Sequence, residues 1–223
     1  MKFQVSFNVN EKLFLRNPES SVLGKKIIKY SIELIHEIGF ENFTFKKLSI
    51  QIQTTEASIY RYFENKHRLL LYILNWYWCY MNFLVNTSIE NISEPKIKLK
   101  IIIELLANDL KTKSGTLDYN IEAINQIVIS ESSKAYLVKD IKNINKDHVF
   151  QPFKDLCTKI ASIINEYNPS FKFARSLSST IIETSHTQQY FAKNLPKLTD
   201  LQSGKPEDFT LKFLENIVFK LLD

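Results

Sequence analysis

Residues 44–70 read TFKKLSIQIQTTEASIYRYFENKHRLL. Three residues punctuate this run: Thr44, Thr55 and Asn65 each carry a side-chain oxygen suited to accept from an amide a few positions on, so each predicts a helix start. Between them Leu48 and Ile52, then Ile59 and Phe63, return at helical spacing and share a face. The stretch therefore predicts two short helices, 45–52 and 56–63, and a long one from Lys66. Links this brief make the first two a helix-turn-helix. Upstream, IIKYSIELIHEIGF (27–40) completes a trihelical unit. Its apolar stripe of Leu23, Ile27, Ile28, Leu34, Ile35 and Ile38, with Ser31, has a period near 3.6 residues. Gly39 is placed to end that helix in the left-handed conformation, with Phe40 folding back on it.

The remaining pattern is also helical. Of 223 residues only 4 are Gly and 6 Pro, too few for the many tight turns of a β-sandwich or barrel. Two cysteines exclude a disulfide framework and a closed zinc site, and fit a reducing compartment. Residues 1–17 alternate loosely (Phe3, Val5, Phe7, Val9), as an extended arm or short strand would, and hold no continuous apolar run of the secretory kind. The 21 residues between Arg68 and Glu90 lack charge. Asn75, Asn82 and Asn86 interrupt them, so they read as a long, mostly buried helix to about Asn91 and not as a membrane span. Further helices are expected from Pro95 to about Lys113, broken by 114–116, and from Asn120 to Ile129, followed by a polar break at 130–134. A helix of unclear start, bent at Pro152, is expected to run to Tyr167. Two more are expected over Ser170–Leu195 and Glu207–Leu222.

Charge is concentrated early: residues 1–70 carry 11 Lys and Arg against 7 Asp and Glu, out of 29 and 24 in the whole chain. A basic first third suits a polyanionic partner. A recognition helix starting at Thr55 presents Glu56, Ala57 and Ser58 to base edges: Glu56 as acceptor from a cytosine amino group, Ala57 against a thymine methyl. Arg61 and Arg68 are the arginines of this unit besides the arm's, and either one can pair a phosphate. Thr44 with Lys46 and Lys47, and Lys66 at the following helix, offer phosphates a helix start and positive charge. Tyr60 and Tyr62 fit either the DNA backbone or the edge of the core, and Lys46 and Lys47 fit solvated charges equally well. No HExxH, phosphate loop or nucleophile elbow occurs, so neither metal, cofactor nor enzymatic activity is expected.

Residues 27–70 resemble the DNA-binding region of the tetracycline-repressor (TetR) family. Gly39-Phe40, Thr44, Leu48-Ser49, Thr55, Ile59-Tyr60, Tyr62-Phe63, Lys66 and Leu69 match its pattern in order and spacing. The family usually places Gly in the turn where this chain has Gln53-Thr54-Thr55; a non-glycine residue at positive φ there costs about 1 kcal/mol. The resemblance implies an all-α protein with an arm (1–20), a helix-turn-helix domain (21–68) and a helical ligand-binding and dimerisation domain (69–223). It implies a bacterial, cytoplasmic, homodimeric regulator, a repressor of a palindromic operator in double-stranded DNA, with Tyr60 on a phosphate. The stripe Tyr72, Trp76, Tyr80, Phe83 is by spacing a core face. By resemblance Trp76, Tyr80 and Phe83, joined by His186 and Tyr190, form the wall of a cavity for a mostly apolar effector. Phe173, Leu177, Ile181 and Ser185 on one late helix, with Phe213, Leu214, Ile217 and Leu221 on the last, are expected to pair across a two-fold axis as a four-helix bundle. The rival reading is a helical interaction protein whose DNA-binding unit is vestigial.

Overall fold

The computed structural model describes residues 7–108 and 118–223, and every regular element among them is helical. The contacts divide the chain into two units, one of residues 1–79 and 111–151, the other of 80–110 and 152–223.

In the first unit α1 spans Val22–Asn42, with Ser21 Oγ accepting from Gly24 N at 3.0 Å as its cap. Of the predicted stripe Ile27, Ile28, Ser31, Leu34 and Ile35 are buried, while Leu23 and Ile38 at its ends are half-buried. The helix is interrupted at Gly39, where φ is 76° and ψ 156°. The positive φ is the expected one; with this ψ the backbone lies where essentially only glycine goes. Short helices α2 (Phe45–Gln51) and α3 (Glu56–Tyr60) follow, then α4 (Lys66–Ile89), whose residues to Cys79 belong to this unit. No strand forms among the described residues of the N-terminal arm. Glu11–Leu13 and Pro18–Ser20 are 3-10 turns, and Leu13 and Pro18 are buried. The second turn lies so close to α1 that a Cβ on Gly24 would sit 2.2 Å from the Pro18 carbonyl oxygen, a distance only glycine allows. Glu19 anchors the arm by accepting from the Tyr72 hydroxyl at 3.1 Å and the Tyr119 hydroxyl at 2.5 Å.

α6 (Ile121–Glu131) opens on the Asn120 cap and packs on α1. It runs past its expected end, and two short helices, α7 (Ser133–Tyr136) and α8 (Ile141–Lys146), occupy the region expected to be a polar break and an unclear helix start. Asn75 explains one polar residue of the uncharged helix: 3% exposed, it donates to the Val149 carbonyl at 2.6 Å.

The second unit holds the rest of α4, α5 (Pro95–Ala107), α9 (Gln151–Tyr167), α10 (Ala174–Asn194) and α11 (Pro206–Leu222). α5, α10 and α11 pack on one another in pairs. α5 stops earlier than expected because Asn108 is extended; the predicted continuation through 109–113 and break at 114–116 lie outside the described residues. Pro152 falls in the first turn of α9, where its missing N–H is not needed, so it causes no bend. α10 starts late because Asn168 folds 168–171 into a turn, its Oδ1 accepting from Ser170 N at 3.0 Å and Ser170 Oγ at 2.7 Å. Four residues expected on a dimer surface, Leu177, Ile181, Ser185 and Leu214, are buried inside this unit. The faces of α10 and α11 that pack within the unit use the same period as a face for a partner, so periodicity alone did not separate them. No helix among the described residues is long and apolar enough to cross a membrane.

His186 is 3% exposed, and burial holds its imidazole down to about 4; burial lowers half-buried His67 in the same direction. An unfolded histidine titrates near 6.5, so between these values the unfolded chain binds the extra proton. The stability that neutral His186 contributes is complete above about pH 6.5 and is lost as pH falls towards the folded value, by up to about 3 kcal/mol. Melting temperatures at pH 7 and pH 5 are expected to show a clear acid loss in the wild type and a smaller one in His186→Gln.

Candidate nucleic-acid interface

The three caps read from sequence all form. Thr44 Oγ1 accepts from Lys47 N and Thr55 Oγ1 from Ser58 N, each at 3.2 Å, and Asn65 Oδ1 accepts from Arg68 N at 2.9 Å. The side chains thus fix three helix starts that α2 and α3, at 7 and 5 residues, are too short to maintain alone. Leu48, Ile52, Ile59 and Phe63 form the inner face, each no more than 2% exposed. Between α2 and α3 the chain turns through Gln53 at φ 55°, the conformation the missing glycine would have taken freely. The turn is closed by Thr54 N donating to Ser49 O at 2.9 Å and by Lys26 Nζ donating to Ile52 O at 2.9 Å. That lysine's part is a tertiary contact with no signal in the local sequence.

The outer face carries most of the expected contacts. Thr44, Lys46, Lys47, Thr55, Ala57, Tyr60 and Arg61 are exposed, and Glu56 and Ser58 are half-exposed. The Tyr60 ring is 47% exposed and meets Phe45 edge-on at 5.0 Å. Lys47 Nζ also donates to the Asn42 carbonyl at 2.9 Å.

Two expected contacts are placed otherwise. Tyr62 is 2% exposed, and its hydroxyl lies 2.8 Å from Ser21 Oγ. After Tyr60 the helix tightens, with Tyr62 N on Ile59 O at 2.9 Å, which turns this side chain inward and ends α3 before the expected Phe63. Leu15 N donates to Tyr62 O at 2.8 Å and the Arg16 guanidinium stands 5.4 Å from the ring centre, so Tyr62 fastens the N-terminal arm. Lys66 likewise turns from the outer face. Its ammonium donates to the carbonyls of Phe40 at 3.0 Å, Glu41 at 3.1 Å and Phe43 at 3.2 Å, above the Phe40 ring at 4.7 Å. With three protons on three carbonyls it closes the end of α1 and has none left for a phosphate. Arg68 is drawn to Asp147 at 3.6 Å.

The residues expected to line an effector cavity fall in different surroundings. In the first unit Trp76 is 5% exposed, with Phe7 and Tyr119 edge-on at 5.2 and 5.6 Å. In the second, Tyr80 and His186 are buried, while Phe83 and Tyr190 are 41% and 36% exposed. Two surface grooves, of about 460 and 410 Å3, are lined by other residues. Among the described residues no three His, Cys, Asp or Glu side chains stand together as metal ligands would.

Helical in every regular element of its described residues, with an N-terminal helix-turn-helix whose second helix is open to solvent, the chain has the fold of a DNA-binding transcriptional regulator. Residues 27–73 match the family of bacterial regulatory proteins described as the tetR family, so the helix-turn-helix is of tetR type and the chain has the fold of that family's regulators. No curated protein matches the sequence. Among solved structures, AibR in complex with isovaleryl coenzyme A and operator DNA is 13% identical, with a TM-score of 0.59 over 85% of this chain and 96% of that one. The ketosteroid transcriptional regulator KstR2 of Mycobacterium tuberculosis is 10% identical, with a TM-score of 0.54 over 88% and 91%. The superantigen PfiT is 14% identical, with a TM-score of 0.57 over 89% and 96%. Likenesses at this identity speak for the fold.

Lys66→Met is expected to lower stability by about 1–3 kcal/mol, because it leaves carbonyls without their charged donor. Urea denaturation checks this; a lysine merely solvated on the surface would cost no more than about 0.5 kcal/mol.

Proposed function

We propose that this protein represses transcription by binding, as a homodimer, a palindromic operator in double-stranded DNA. The observation that carries the reading is the open first turn of α3. Glu56, Ala57 and Ser58 face outward there, beside exposed Tyr60, Arg61, Lys46 and Lys47. In a major groove the three are at base edges, and Tyr60, Arg61, the two lysines, Thr44 and Thr55 lie along the phosphates. The setting is the cytoplasm, where the chromosome is. Footprinting the region upstream of its own gene tests the proposal. Affinity for the protected duplex is expected to fall with salt by about 0.9 log units per log unit for each phosphate neutralised. Arg61→Ala is expected to lower that slope by about one contact, Tyr60→Ala to weaken binding to every sequence, and changes at Ala57 or Ser58 to shift base preference. No duplex from that region binding better than random DNA would leave the fold serving protein contacts alone. PfiT, described as a superantigen on the same fold, favours keeping that alternative in the test.

One half-site offers few base contacts, so useful affinity asks for two recognition helices about one DNA turn apart. The proposed two-fold surface uses the apolar residues left outside by α11 and by the N-terminal cap of α10. Phe173 and Leu221 are 67% and 57% exposed, Ile217 is half-exposed, and half-exposed Phe213 stacks on Phe209 at 6.1 Å. Ile217→Glu is expected to give monomers in analytical ultracentrifugation and to weaken operator binding. Wild-type protein that is monomeric at micromolar concentration would overturn this part.

The proposed effector is a mostly apolar small molecule taken by the second unit. This reading is supported by neighbours described with isovaleryl coenzyme A and as a ketosteroid regulator. α4 is one helix with residues in both units. It is the proposed route by which effector binding reaches the recognition helices, with a coupling of about 1–3 kcal/mol.

A further inference from the structure

α1 is interrupted just before α2, and the backbone groups freed there are taken by side chains from far along the chain. The turn at Gly39 releases the Phe40 amide from the helix ladder. That N–H donates to Glu131 Oε1 at 3.3 Å, across 91 positions of sequence. The same oxygen lies 3.9 Å from where a Gly39 Cβ would be, so the carboxylate sits directly over the break. Its second oxygen pairs with Lys134 at 2.8 Å, and Lys134 reaches Glu41 at 3.1 Å. On the carbonyl side the same segment is held by Lys66. Residues 39–43 are therefore gripped by their amide from α6 and by their carbonyls from α4, and they lead straight into Thr44, the cap of α2.

Glu131 is out of place as a packing residue. It is 7% exposed and continues the buried stripe of Ile124, Ile127 and Val128 at helical spacing, a position where an aliphatic side chain would be cheaper than a carboxylate. The break in α1 accounts for its chemistry: a buried amide that leaves the helix ladder needs a side-chain oxygen to accept from it, and a carboxylate supplies one.

We infer that Glu131 is a positioning residue for DNA binding: from α6, outside the helix-turn-helix, it fixes the α1–α2 joint and with it the direction in which α2 and α3 are presented. The inference rests on the DNA-binding reading above. It makes no phosphate contact of its own, which separates it from Arg61 in experiment.

The test uses the full chain and the footprinted duplex, with affinity measured over a salt series by fluorescence anisotropy. Glu131→Ala is expected to weaken binding about 3- to 30-fold with the salt slope unchanged. Glu131→Gln, whose carbonyl still accepts from Phe40, is expected to stay within about 3-fold of wild type. Val128→Ala opens a cavity at a fully buried position of the same helix and lowers stability; it is expected to leave affinity within about 2-fold. Glu131→Ala binding like wild type, or Val128→Ala losing as much as Glu131→Ala, overturns the inference. If Glu131→Ala does not fold, amide hydrogen exchange of Phe40 in the wild type decides. Protection well beyond that of an open amide supports the contact on which the role rests, and exchange at the rate of an open amide overturns it. Wild-type protein without preference for any duplex overturns the DNA-binding reading, and this inference with it. Wild-type preference with an indifferent Glu131→Ala overturns this inference alone.

Discussion

The ammonium group of Lys66 and the three carbonyls it closes form the constraint on which the N-terminal unit depends. Helices of 7 and 5 residues do not hold themselves together in water, so α2 and α3 take their geometry from what surrounds them. Lys66 joins the first turn of α4 to the end of α1 and leaves α2 to leave that joint in one direction. The inner residues Leu48, Ile52, Ile59 and Phe63 then bury the helix pair against this frame, and the polar outer face follows from their placement. Surface charge at this joint acts on shape before it acts on a partner.

This division explains what could be read along the chain and what could not. Caps are local: Thr44, Thr55 and Asn65 act on amides at most three positions away, so a single sequence contains the whole interaction. The apolar stripe of α1, the positive φ at Gly39 and the cost at Gln53 are local in the same sense. The side chains of Tyr62 and Lys66 can serve a phosphate or a neighbouring part of the chain equally well, and the partners they take here, Ser21 and residues 40–43, are set by the tertiary fold. For Glu131 the local signal is only a carboxylate in register with the apolar stripe of α6; what it serves is the Phe40 amide, 91 residues earlier.

In the second unit the limit was different. α10 and α11 are apolar enough on more than one side that their stripes could serve a core or a partner. The structure spends Leu177, Ile181 and Leu214 on the core and leaves Phe173, Ile217 and Leu221 outside. Polar groups finish the packing where helices end: Asn168 Nδ2 donates to Leu222 O at 2.9 Å, and Lys98 meets Glu166 at 3.2 Å. The end of the chain is thereby tied to the turn after α9, and α11 is held at its far end as well as along its length.

The phenols buried along α4 and beside the N-terminal arm give the protein an alkaline limit. Burial raises Tyr72, Tyr77, Tyr80 and Tyr119 above the ordinary tyrosine range, and the Glu19 carboxylate raises Tyr72 and Tyr119 further. Their hydroxyls are donors or enclosed groups that resist ionisation, whereas the unfolded chain gives up these protons near pH 10. Above that value each of the four favours the unfolded chain, so base does not strip them singly from an intact molecule. Ultraviolet absorbance followed into alkali then reports an inner group of tyrosines whose phenolate band appears together with the loss of helix.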